Sequence, residues 1–98
     1  MYRIVYNKQA VKDIKNLKSA GLDRKAKELI EILRENPFMN PPPYEGLVGN
    51  LKGFFSRRIN IQHRLIYQVY ADRIVINDIE YEGIIKIVRM WTHYERIG

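Results

Sequence analysis

Glu45, Arg58, Arg64, His93 and Tyr94 are the residues of this chain whose types combine into one reaction. A carboxylate can take the proton of a ribose 2′-hydroxyl, guanidinium groups can hold the charge that develops on phosphate oxygens, and an imidazole can protonate the departing 5′-oxygen. Histidine suits the last task because its ordinary pKa of about 6.5 lets it carry and release a proton near neutrality. Arginine suits the second because its planar fork matches two phosphate oxygens and keeps its charge. Tyr44, Trp91 and Tyr94 offer rings on which a splayed base can lie. These are the parts needed to cleave RNA without a metal. Taken one at a time, the same residues are an ordinary ion-pair cluster and a histidine near a chain end, because distance in sequence says nothing about contact.

The elements that must position them are legible from periodicity. Residues 54 to 70 read as two strands joined by a tight bend near Ile61 to His63. Alternation puts Phe55, Ile59 and Ile61 on one face of the first strand and Ser56, Arg58 and Asn60 on the other, so Arg58 points away from the core. On the second strand Leu65, Tyr67 and Val69 oppose Arg64, Ile66, Gln68 and Tyr70, which lets Arg64 share the polar face. Residues 37 to 50, with prolines at 41 to 43, form a stiff loop that presents Tyr44 and Glu45.

Upstream, Met1 to Tyr6 reads as a first strand. Asn7 can cap a helix from about Lys8 to Lys18, with Val11, Ile14 and Leu17 toward the core and Gly21 as its stop. A second helix is expected from about Asp23, whose carboxylate can cap the first-turn amides, through Ala26, Leu29, Ile30 and Leu33 to Glu35; Asn36-Pro37 ends it. Each helix buries a single stripe, so both need a common apolar surface, which the later strands supply. Downstream, Arg73 to Ile79 is expected as one strand, Glu80 to Gly83 as a turn, and Ile84 to about Tyr94 as the last strand. In that strand Ile84, Val88 and Met90 share a face, and Ile85, Ile87, Arg89, Trp91 and His93 share the other.

Composition narrows the class. Ninety-eight residues suffice for one domain with one modest core. With no cysteine there is no disulfide and no thiolate metal site, and two histidines thirty residues apart are thin grounds for a metal; no cofactor is expected. The opening residues lack the long apolar region of a signal peptide, and no apolar run approaches the ~20 residues that span a bilayer, so a cytoplasmic protein with no membrane partner is expected. Seventeen Lys and Arg against eleven Asp and Glu leave +6, which favours a polyanion or an acidic protein as partner. Seven tyrosines and one tryptophan among those cations add the aromatic surfaces that RNA recognition uses.

Several stretches in combination resemble the YoeB/Txe family of bacterial toxins, within the RelE-like superfamily. They are Asn36-Pro37-Phe38, Tyr44-Glu45-Gly46-Leu47, the run Asn50-Leu51-Lys52-Gly53-Phe54-Phe55-Ser56-Arg57-Arg58-Ile59, His63-Arg64-Leu65-Ile66-Tyr67, and the terminal Trp91-Thr92-His93-Tyr94. The resemblance implies an α+β fold, two N-terminal helices on a twisted, mainly antiparallel sheet of four to five strands, RelE-like and microbial-RNase-like. It implies a ribosome-dependent endoribonuclease that cuts messenger RNA in the A site of the 70S ribosome. The partners implied are a YefM-like or Axe-like antitoxin, operator DNA through the antitoxin complex, and a second toxin copy in a homodimer. Residue by residue, Glu45 falls at the family's general base, His93 at its general acid, Arg64 at the arginine that stabilises the transition state, and Tyr94 at the tyrosine beside the histidine. Arg57 and Arg58 form the family's arginine pair, with phosphate binding expected there and at Lys52 and Arg89, and RNA contacts expected at Trp91 and Tyr44. Three features depart from the family pattern: the added Glu95-Arg96-Ile97-Gly98, Val48-Gly49 where relatives carry basic or histidine residues, and a longer segment from Asp72 to Gly83. An accessory role in operon repression, or a basic surface that serves mainly to hold an acidic antitoxin, is the alternative to catalysis.

Overall fold

The computed structural model describes residues 1–91 of the chain. Strand β1 (Arg3–Tyr6) runs into Asn7, whose side-chain oxygen accepts from the Ala10 amide at 2.8 Å and starts helix α1 (Lys8–Ser19). Ala10 and Leu17 are buried on α1, but Val11 is 53% exposed, and the stripe expected through it passes instead through Asp13, which is 1% exposed. Asp13 was not expected inside. Its burial is compensated by two donors at the end of the last strand, described below, which is the condition under which a carboxylate can leave water.

Gly21 stops α1 in the left-handed conformation, with φ +72°. The Leu22 amide bonds back to the Leu17 carbonyl and the Gly21 amide to that of Lys18, so the exposed carbonyls of the last turn are satisfied while Leu22 and Leu17 turn into the core. This turn leads directly into helix α2 (Asp23–Glu35), in which Ala26, Leu29, Ile30 and Leu33 are buried as expected. Asp23 does not cap, however. Leu22 occupies the cap position and no side chain bonds there, so Asp23 sits in the first turn, where a negative charge favours the helix only through its dipole. Asn36 leaves the helix, and its side chain accepts from the Phe38 amide.

The remaining strands are β2 (Glu45–Gly46), β3 (Phe54–Arg58), β4 (Arg64–Tyr70), β5 (Ile74–Ile76), β6 (Ile79–Tyr81) and β7 (Ile84–Arg89). Among the described residues, five of the seven strands form one sheet in the order β1-β7-β4-β3-β2, with β1 parallel to β7 and the other pairs antiparallel. Strands β5 and β6 form a separate two-stranded sheet. The single strand expected from Arg73 to Ile79 is therefore divided, because Asn77 and Asp78 adopt φ +50° and +65° and make a two-residue hairpin turn.

The sheet presents one face to the helices. Ile59, Leu65, Tyr67, Ile85, Ile87 and Met90 pack there under the buried residues of α1 and α2. Met90 departs from the expected parity. Between β4 and β7 the register shifts: Tyr67 pairs with Ile87 but Ile66 pairs with Arg89, leaving Val88 as an extra residue. Such a bulge reverses the alternation beyond it, so Met90 joins the core at 1% exposure and Arg89 falls opposite Ile66. Among the described residues, no helix is long and apolar enough to cross a membrane.

Candidate functional site

The sheet face turned away from the helices gathers Glu45, Arg58 and Arg64. Register places Glu45 of β2 opposite Ser56 of β3, Ser56 opposite Ile66 of β4, and Arg58 opposite Arg64, and residues opposite one another share a face. Together with Pro43 and Tyr44, Glu45, Ser56, Arg58 and Arg64 line a cleft of about 390 Å³. Within it the Arg64 Nη1 lies 3.3 Å from the Glu45 Oε1 and 3.4 Å from the Ser56 hydroxyl oxygen. The carboxylate is about half exposed, open to a ligand, while the guanidinium is more enclosed. Ser56, which sequence reasoning left without a role, is buried and forms the floor.

Two arginines directly across a strand pair repel each other. Like charges placed so depart from good sheet chemistry, as happens where a local rule is broken for function. Arg58 is exposed above the cleft, and its fork is suited to a phosphate.

Arg57 is corrected. Expected to contact phosphate, it is 1% exposed on the opposite face of β3. Its Nη1 donates to the Pro42 carbonyl at 2.6 Å, its Nη2 to those of Pro37 and Met39 at 3.0 and 2.8 Å, and its Nε to the Tyr67 hydroxyl oxygen at 3.3 Å. The guanidinium carbon also sits 5.0 Å from the centre of the Tyr44 ring. The Tyr67 hydroxyl in turn donates to the Pro37 carbonyl at 2.8 Å. Burial pushes the Tyr67 phenol above its ordinary pKa, against the opposing pull of the Arg57 charge. Arg57 therefore binds the loop that leads to Glu45 onto the sheet, and Tyr44 is fixed beside it against Phe38 and Phe55. Tyr44 reaches the cleft wall while its ring is largely committed to this cluster.

Arg89 is likewise engaged in structure. Its Nε lies 3.1 Å from the Asp13 Oδ2, the same oxygen that accepts from the Met90 amide at 2.8 Å. This ties the end of β7 to α1, and leaves Arg89 holding a buried carboxylate where a phosphate contact was expected. Lys52 is exposed in the turn that closes the far end of the β2–β3 hairpin, outside the cleft lining. Trp91 lies against the His63 ring, centroids 3.8 Å apart and nearly parallel. His63, immediately before Arg64, carried no expected role, and only the tertiary structure reveals this stacking. His93 and Tyr94 lie outside the described residues.

The fold defines the class. In its helices-on-sheet arrangement the chain matches solved RelE-like toxin structures: a YoeB/ParE toxin from Agrobacterium tumefaciens with TM-score 0.77 at 23% identity, covering 94% of this chain and 99% of that one. YafQ from E. coli matches with TM-score 0.72 at 22% identity over the whole of both chains. A structure of the YoeB-YefM complex from Staphylococcus aureus matches with TM-score 0.69 at 30% identity, covering 96% of this chain and 99% of that one. Residues 5–94 match the family model of the YoeB-like toxin of bacterial type II toxin-antitoxin systems, and the chain belongs to that family. Toxin YoeB of Escherichia coli K12 is 45% identical over 53 residues, which cover 54% of this chain and 63% of that protein. Toxin YoeB of Synechocystis is 37% identical over 68 residues, 69% of this chain and 66% of that protein.

Proposed function

We propose that this toxin is a ribosome-dependent endoribonuclease that cleaves messenger RNA in the ribosomal A site and so stops translation. The observation that carries the reading is the placement of Glu45 and Arg64 3.3 Å apart in an open cleft with Arg58 across the ladder. In this mechanism Glu45 accepts the proton of the 2′-hydroxyl as that oxygen attacks the adjacent phosphorus. Arg64 and Arg58 bind the non-bridging oxygens as their charge grows, stabilising the transition state more than the ground state. His93 gives its proton to the departing 5′-oxygen, with Tyr94 beside it. The products are a 2′,3′-cyclic phosphate and a 5′-hydroxyl, and proton transfer is balanced without a metal.

The toxin acts in the cytoplasm, where its substrate is presented by the 70S ribosome. A YefM-like or Axe-like antitoxin neutralises it, and the complex binds operator DNA. The S. aureus relative solved with YefM, and the YoeB dimer from that organism, support an antitoxin partner and a homodimer. Primer extension on translating ribosomes tests the reading: wild type should produce A-site cuts, and Glu45→Gln and His93→Gln should each cut about 10² to 10⁴ more slowly. Undiminished cutting by His93→Gln would remove the acid from the mechanism. Operator binding by the antitoxin complex with no ribosome-dependent product would establish the accessory role instead.

A further inference from the structure

A second groove, of about 370 Å³, adjoins the cleft and shares Pro43 and Arg58 with it. Two kinds of surface make up this groove. Pro42, Pro43, Leu29, Ile59 and Ile61 give it an apolar wall, and Ile61 is 83% exposed at its rim. Lys25 of α2 and Arg58 of β3 bring two cations to it, and Asn60 contributes a carboxamide.

The orientation of that carboxamide is determined. Its Oδ1 accepts from the backbone amides of Gln62 and His63 at 2.9 and 2.7 Å, closing the turn between β3 and β4. An amide oxygen occupied in this way leaves the NH₂ as the group offered to a ligand. A pair of donors beside an apolar wall suits the acceptor edge of a nucleobase, whose face can lie on prolines and isoleucine; the two cations suit the flanking phosphates.

We propose that this groove is a nucleotide subsite, which takes the base of a residue adjoining the cleaved linkage and reads it through Asn60, with Lys25 on the next phosphate. The assignment of its occupant as RNA rests on the nuclease reading of the cleft. Continuity through Arg58 supports it: a strand whose scissile phosphate lies between Arg58 and Arg64 is delivered to the groove by the same guanidinium. An acidic peptide would use the cations but has no need of an oriented donor pair on an apolar shelf.

The test is an NMR titration of the isotope-labelled full chain with four single-stranded tetraribonucleotides differing in one base, away from ribosomes and without reference to cleavage. Wild type should show shifts at the Asn60 side-chain NH₂ and at the Ile59 and Ile61 amides. Lys25→Gln should lower the slope of log affinity against log salt by about 0.7 for all four oligonucleotides, as expected for one lost contact to a single strand. Asn60→Asp retains an acceptor for the turn amides but removes the donors, and should change the preference among the four bases by roughly two- to ten-fold. Shifts confined to Glu45, Ser56 and Arg64, or binding by both variants indistinguishable from wild type, would overturn the subsite. So would an acidic peptide that shifts the groove when no tetranucleotide does. Because binding is read directly, absence of cutting on ribosomes would sink the nuclease reading while leaving this result to stand by itself.

Discussion

Arg57 and Arg58 are neighbours on one strand, identical in chemistry, and opposite in fate. Arg57 faces the covered side of the sheet, where three carbonyls of the 37–42 loop and the Tyr67 hydroxyl enclose its guanidinium. Arg58 faces the open side, across from Arg64 in the cleft that Glu45 also lines. The covered arginine donates to the Pro42 and Met39 carbonyls and shares that of Pro37 with the Tyr67 hydroxyl. The open one leaves a local excess of positive charge for a ligand to offset. One peptide bond, through the alternation of a strand, separates an enclosed cation from one open to the cleft.

The two faces can be pulled apart experimentally. The largest effect should come from Arg57→Leu, which takes the donor from the Pro42 and Met39 carbonyls and one of two from Pro37, and should cost about 3–5 kcal/mol in denaturant-measured stability. Arg57→Lys should recover only part of this, because one ammonium cannot span the same fork of acceptors. A stable Arg57→Leu protein would mean that the loop is held by packing alone, and the contrast with Arg58 would disappear.

Asp13→Ala should rank next, at about 3 kcal/mol, since it deprives the Met90 amide and Arg89 of the same acceptor. It also asks whether Arg89 belongs with the structural arginine. If Arg89 instead serves RNA, Asp13→Ala should leave stability nearly unchanged.

A smaller effect is expected from pH at the Tyr67 hydroxyl. Its pKa in the folded protein lies above the ordinary value of 10.0, so the neutral phenol is favoured by folding. That contribution is fully present below pH 10.0 and is lost as pH rises through the folded value. Denaturant midpoints collected into the alkaline range should decline less steeply for Tyr67→Phe than for wild type.

The smallest change in stability should be that of Arg58→Ala, within about 0.5 kcal/mol of wild type or slightly favourable, because an exposed cation facing another is removed. A loss comparable to that of Arg57→Leu would show that the open face is as structural as the covered one.

Much of this arrangement was legible beforehand. The helix stripe at Ala26, Leu29, Ile30 and Leu33 repeats at the spacing of one buried face, and Gly21 stands where a left-handed residue ends α1. Strand alternation correctly turned Arg58 away from the core and set Arg64 on the same side, since that inference needs only a correct turn between β3 and β4. It also holds the answer for Arg57, whose parity is that of Phe55 and Ile59, the face that packs on the core. Asp13 was not legible. A carboxylate on a helix reads as exposed unless its donors are known, and besides Gln9 one turn before it, those donors lie in Arg89 and Met90, more than seventy positions away.

Local order, then, is what the chain dictates by itself: periodicity selects helix or strand, glycine and proline punctuate them, and the net charge of +6 favours an anionic partner. Where those elements meet is decided by the tertiary fold. The extra residue at Val88 reverses parity and sends Met90 into the core, the 37–42 carbonyls close around Arg57, and the Glu45 carboxylate comes within 3.3 Å of Arg64. The physical reason is that alternation is a property of neighbouring residues, whereas register and the enclosure of a charge depend on groups brought together only when the sheet and its cover are complete.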